Sequence, residues 1–270
     1  MGHNTPIVGA GEEIAPGTII EGFEIVTPLN DEICRSHIDI NLKRGLKEAV
    51  RRRTLHIVAA GPSARLAGNY ISSLPTLALN SSLKLFTDWG IAPTYWACCD
   101  PQELVADFLP DNPSRETIYF VASKCHSRVF EKLKGCDVRI WHLRDYPADG
   151  RSRIALCSTV TLSASWLMHR LGYTDFEYWG WDGCFIDGKH HATVDDDWSG
   201  VEVLHLNYGG TIEGEEVIGG RVFSTTRSWA SEAKDAEQFF MLAEYFDIGL
   251  TIHGDGMFAC AHKFSHGEKG

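Results

Sequence analysis

The sequence predicts an α/β protein of the doubly wound, Rossmann-like kind with a mostly parallel sheet, and three observations carry that prediction. After about residue 53, short β-branched or aromatic runs alternate with helical runs. Connections this short join parallel strands through right-handed crossovers. The strand runs are near-continuously apolar, as strands are when helices cover both faces of a sheet. The chain has 270 residues, of which 44% are hydrophobic and 23% charged, enough to enclose one large core.

Residues 1–53 are expected to form an N-terminal arm and a basic helix packed on the body. Up to about Leu29 the text is rich in Gly and Pro with no sustained period. From Asn30, a good N-cap residue, the run opens acidic and closes on Arg51, Arg52 and Arg53, which complements a helix dipole. Residues 54–270 form the predicted Rossmann-like domain. Its strands are TLHIVAA, TLALN, YWACCD, TIYFVAS, DVRIWHL, DFEYWGWD and LTIHGD. Between them lie the helical runs RLAGNYISSL, SLKLFTDWG, QELVADFL, SRVFEKLKG and TLSASWLMHRLG. From about 183 to 226 the text turns Gly-rich and acidic around one strand-like run, VEVLHL. That stretch reads as a mobile lid insertion, followed by the long amphipathic helix WASEAKDAEQFFMLAEYF.

Composition excludes several classes of function. A formal charge of −11, from 25 Lys and Arg against 36 Asp and Glu, argues against broad nucleic-acid or anionic-lipid binding, because phosphates are repelled. The eight cysteines lack paired C-x-x-C spacing, so reduced thiols and no metal site are expected. No leader and no apolar run long enough to cross a bilayer is seen, so no membrane span and a cytoplasmic location are expected.

In open parallel sheets ligands bind beyond the carboxyl ends of the strands. The strands here end in Gly61-Pro62-Ser63, Asn80-Ser81-Ser82, Asp100-Pro101-Gln102, Ser123-Lys124 and Asp182-Gly183, and Cys157-Ser158-Thr159 opens a helix on the same edge. At Gly61 a missing side chain lets a ligand approach, and the helix start behind it offers N–H groups to a phosphate. The turn is neither G-x-G-x-x-G nor G-x-x-x-x-G-K-[ST], which disfavours ordinary dinucleotide binding and P-loop chemistry. Inside the lid, Lys189, His190, His191 and Asp195-Asp196-Asp197 read either as a solvated acidic hairpin or as a source of a general base. In the second case His190 or His191 takes the proton of an acceptor hydroxyl. Asp182, after Trp179-Gly180-Trp181, is the candidate catalytic carboxylate.

HIVAAGPSARL, LALNSS, GIAPTYWACCDPQ and CSTVTLSASWLMHRLGYTDFEYWGWDGCFIDGKHHA resemble, in order, the sequential blocks of the motility accessory factor family. That family is similar to bacterial lipooligosaccharide sialyltransferases and to archaeal hydroxymethylpterin diphosphokinases (MptE-like). The match runs from about His56 to Ala192, with a weaker echo in FSTTRSWASEA and IHGDGMF. The resemblance implies nucleotide-lining roles for Gly61, Pro62, Ser63 and Asn80, and for Ser158 and Thr159 at the helix start. It places Gly180 and Asp182 near ribose and donor phosphate, with Asp100 on the same edge. Neither phosphate-facing Tyr of the sialyltransferase lid has a counterpart. Where the pterin kinases carry an acidic pair after the third strand, this chain has Cys99-Asp100-Pro101-Gln102.

The implied activity is a transferase, a glycosyltransferase taking a CMP-type nucleotide-sugar as substrate and a glycan or protein hydroxyl as acceptor, with no tightly bound cofactor. The alternatives are an ATP- and Mg-dependent hydroxymethylpterin diphosphokinase and a non-catalytic nucleotide- or sugar-binding module.

Overall fold

The computed structural model describes residues 52–71, 74–143, 153–154, 159–193, 201–213 and 216–265, with the pairs 19–20 and 23–24. Those two pairs, β1 (Ile19–Ile20) and β2 (Phe23–Glu24), form a short antiparallel ladder. The predicted helix from Asn30 lies outside the described residues up to Arg51. Its last two arginines are structural. Arg52 bridges Asp175 at 2.7 Å and Asp247 at 2.8 Å, and the Arg53 guanidinium lies 4.5 Å over the Tyr173 ring.

All seven predicted strands are present. They are β3 (Thr54–Val58), β4 (Thr76–Leu79), β5 (Tyr95–Cys98), β6 (Ile118–Ala122), β7 (Asp137–Leu143), β9 (Asp175–Trp179) and β12 (Gly249–Ile252). A two-residue β8 (Arg153–Ile154) extends the edge, giving the order β12-β9-β3-β4-β5-β6-β7-β8 with every pair parallel. Both faces of the central strands are covered. In β3 every residue after Thr54 is buried, and in β4 all four are, which is why these runs carry no polar alternation. The helices are α1 (Leu83–Asp88), α2 (Ser127–Lys132), α3 (Val160–Arg170), α4 (Arg227–Tyr245) and α5 (Met257–Ser265). The two remaining helical runs, Pro62–Asn69 and Glu103–Phe108, wind as 3-10 helices. The chain passes from β3 outward to β4 on one side, and returns to place β9 on the other. The topological switch therefore falls between β3 and β9, where a crevice opens at their carboxyl ends.

The expected lid is more regular than its composition promised. β10 (Val203–Glu213) and β11 (Glu216–Thr226) form an antiparallel hairpin whose register runs from Val203 opposite Thr226 to Glu213 opposite Glu216. Leu204, Leu206 and Tyr208 alternate with exposed Val203, His205 and Asn207, and the hairpin packs on α4 and α5. Glycines at 209, 210, 219 and 220 hide that period-two pattern in the sequence. The segment before it is anchored as well. Phe185 N donates to Ser224 O at 2.8 Å, Thr225 Oγ1 to Gly183 O at 2.7 Å, and Ala192 N to Ala60 O at 2.8 Å. The Asp195–Asp197 run lies outside the described residues.

Helix α4 starts where Thr226 accepts a bond from Trp229 N at 3.3 Å, and its buried stripe of Ala233, Ala236, Phe239, Phe240 and Ala243 follows the helical period. Phe223 of β11 is buried beneath the Arg221 guanidinium, which stands 4.9 Å over the ring. Replacing Phe223 with Ala should cost about 3–5 kcal/mol in denaturant unfolding, a loss that a loosely attached lid would not produce.

Candidate active site

A cavity of about 360 Å³ occupies the crevice at the carboxyl edge of the sheet. Gly61 from the β3 turn, Asn80 after β4 and Asp100 after β5 line it, together with Thr159 at the start of α3. Gly180 and Asp182 after β9, and His190 and His191 beyond them, complete the sequence-predicted residues found there. Pro62 and Ser63 stand behind the lining rather than in it, and Ser158 lies outside the described residues. Lys124, one of the strand-end residues of that edge, lines it too, and the wall contains further groups to which the sequence reading assigns no site role: Cys99, Trp181, Trp229 and Glu232.

The Gly61-Pro62-Ser63 turn is held by the protein itself. Both oxygens of Asp182, which is 2% exposed, accept from Ser63: Oδ2 from the backbone N at 2.9 Å and Oδ1 from the hydroxyl at 2.6 Å. Ser63 Oγ in turn accepts from Gly180 N at 3.1 Å, and Gly61 N donates to Gly180 O at 2.9 Å. A Cβ on Gly61 would fall 2.5 Å from Asp182 Oδ2 and 2.5 Å from Gly180 O. The missing side chain therefore makes room for the neighbouring strand end, and the N–H groups expected to face a phosphate are engaged: Ser63 by Asp182, Gly61 by Gly180, and Ala64 by Gly61 O. Burial pushes the Asp182 carboxyl upward, and the two bonds from Ser63 pull it back.

A second helix start, that of α3, also faces the cleft. Thr159 is its N-cap and makes no side-chain capping bond, and Thr159, Val160 and Thr161 line the cavity, so the positive end of an 11-residue helix faces the cleft. Lys124 is the Lys or Arg side chain of the lining, in a chain whose net charge is −11. Asn80 takes a left-handed φ of 48°, a conformation Asn tolerates better than other side chains. Trp96 Nε1 holds its carbonyl at 3.0 Å, while its buried side-chain oxygen accepts no hydrogen bond among the described residues.

On the hairpin side, His190 is 9% exposed and stacks on Trp229 with ring centroids 4.0 Å apart, and His191 meets it edge-on at 3.8 Å. One helical turn beyond Trp229, Glu232 is 3% exposed and accepts from Trp181 Nε1 at 3.1 Å. Burial pushes its carboxyl up to about 7, against the hydrogen bonding of Thr159 and Trp181, with Asp235 adding to the rise. A signal for it existed in the sequence, since Glu232 falls on the apolar stripe of α4, where a carboxylate is out of place. Among the described residues no group of three His, Cys, Asp or Glu is placed to hold a metal ion, and no helix is long and apolar enough to cross a membrane. The six described cysteines are free thiols.

Residues 34–188 match the family described as "6-hydroxymethylpterin diphosphokinase MptE-like". Among solved structures, the MAf glycosyltransferase from Magnetospirillum magneticum AMB-1 is similar over 87% of this chain, with a TM-score of 0.53 and 12% identity. This chain spans 39% of the length of that protein, and at such identity the likeness is one of fold. No curated protein matches the sequence.

Two outcomes are expected of this geometry. Gly61→Ala should lower stability by about 1–3 kcal/mol through overpacking against Asp182 and Gly180, read by thermal unfolding without ligand; an unchanged midpoint would show that the turn is not clamped. The raised Glu232 pKa means that the fold binds a proton more tightly than the unfolded chain. Stability from this group is thus full below the ordinary value of 4.5, falls as pH rises to about 7 and is level above. Glu232→Gln should remove that slope and be the more stable protein at pH 8 by about 3 kcal/mol at most, measured as the difference between the two proteins' unfolding curves from pH 4 to 8.

Proposed function

The chain belongs to the MptE-like family, and from that premise we propose that it is a transferase that holds a nucleotide-activated donor in the switch-point cleft and passes its activated group to a hydroxyl. The observation that carries this reading is the convergence at one sheet edge of a helix start, a lysine and an unsatisfied amide. The start of α3 and Lys124 meet the donor's phosphates. The Asn80 side-chain oxygen, which leaves a buried acceptor unpaired, takes an N–H or O–H of the base or ribose. Gly61 and Gly180 keep the floor of the cleft flat, and Asp182 holds that floor rather than reacting. The imidazoles of His190 and His191 are the proton carriers of the cleft.

The donor we favour is a CMP-type nucleotide-sugar, with a glycan or protein hydroxyl as acceptor. The edge that a Mg·ATP site would use carries Asp100 as its carboxylate after β5, while both oxygens of Asp182 are spent on Ser63. The diphosphokinase activity in the family's description is the second reading.

Thermal unfolding in the presence of CMP, UDP, ATP and GTP, with and without Mg²⁺, separates these readings. At a hundred times its dissociation constant the right nucleotide adds about 2.7 kcal/mol. Metal-independent protection by CMP is expected. Mg-dependent protection by ATP would transfer the assignment to diphosphoryl transfer, and no response to any of the four would leave a cleft without nucleotide chemistry.

A further inference from the structure

Glu232 has no part in the reading above, yet its placement is unfavourable for stability. It occupies a position of the α4 stripe otherwise filled by Ala233, Ala236, Phe239 and Phe240, and no basic side chain among the described residues acts on it. A carboxylate in such surroundings loses its hydration without a counter-charge. It is also open to the cleft, since it lines the cavity beside Trp181, the residue between Gly180 and Asp182. Trp229, on the same face of α4 one turn earlier, stacks on His190 and holds that imidazole against the same wall.

Resting on the reading of this cleft as a donor–acceptor site, we propose that Glu232 is the group that takes the proton of the acceptor hydroxyl, with His190 and His191 carrying that proton on to water. The acceptor oxygen releases its proton to the carboxylate as its lone pair forms the bond to the sugar's anomeric carbon. The bond from that carbon to the phosphate oxygen breaks, its electron pair leaving with the nucleotide, and Glu232 later returns the proton to water. A carboxylate suits this step when burial makes it basic enough to accept a proton near neutral pH. The hydrogen bond from Trp181 Nε1 fixes the rotamer of the carboxyl. The charged or titratable groups that share its cavity among the described residues are Asp182, Asp100, Lys124, His190, His191 and the thiols of Cys99 and Cys184, with Asp235 on its own helix.

The test uses the full chain, CMP as the binding probe and hydrolysis of CMP-N-acetylneuraminic acid as the reaction, with water as acceptor. Glu232→Gln keeps an acceptor for Trp181 and should bind CMP within about twofold of wild type while hydrolysing the donor at least a hundredfold more slowly. The rise of the wild-type rate with pH, centred near 7, should vanish in the variant. Hydrolysis by Glu232→Gln at the wild-type rate with the same pH profile would overturn the proposal and leave Glu232 as a hydrogen-bond acceptor for Trp181. A second measurement requires no substrate. The tryptophan-fluorescence titration of wild type minus that of Glu232→Gln should show one transition between pH 6 and 8, reported by Trp181. Its absence overturns the proposal even if wild type hydrolyses the sugar nucleotide. If wild type neither binds CMP nor hydrolyses the donor, the donor assignment falls separately, and a titration without a transition between pH 6 and 8 still overturns the role of Glu232.

Discussion

The Asp182–Ser63 clamp is the interaction on which the cleft depends. Doubly wound sheets part at the switch point, where successive crossovers leave in opposite directions, and nothing in the strand ladder ties the two loops together beyond the carboxyl ends. Here a carboxylate after β9 accepts both the backbone N–H and the hydroxyl of Ser63 after β3, and Gly180 N closes the loop onto the same hydroxyl. Charge-assisted bonds in a buried setting are the strong ones, and the two glycines allow the strand ends to approach closely enough to make them. The α5 start is drawn in too, because Met257 N donates to Asp182 O at 2.7 Å.

The clamp has a consequence for where chemistry happens. With the polar groups of the Gly61–Ser63 turn consumed internally, the open anion-facing groups of the cleft are displaced to the start of α3 and to Lys124. The cleft thus brings the start of α3 and Lys124, in an acidic protein, together with aromatic rings, imidazoles and the buried Glu232 carboxyl, which neighbours Thr159 at that same helix start.

Much of this was legible in sequence and some of it was not. The seven strands could be read because burial on both faces leaves an unbroken apolar run, and the ends of those runs pointed to Gly61, Asn80, Asp100 and Asp182 at one edge. The hairpin β10–β11 was hidden because glycines and acidic residues interrupt its alternation, and pairing rather than propensity keeps it extended. Glu232 was half legible: its position in the apolar stripe of α4 marks it as out of place, but only the facing strand ends show that it lines the cleft.

The amino-acid sequence by itself determined the class of fold, the order of strands and helices and the edge on which polar loop residues gather, because these follow from periodicity and from the chirality of crossovers. Only the tertiary structure decided how those residues are used. Whether Ser63 faces a ligand or Asp182, whether His190 is solvated or stacked on Trp229, and whether Glu232 is exposed or enclosed depend on contacts between residues more than 35 positions apart. Such contacts leave no local pattern in a chain, since the partner that satisfies or buries a group is supplied by another element across the core.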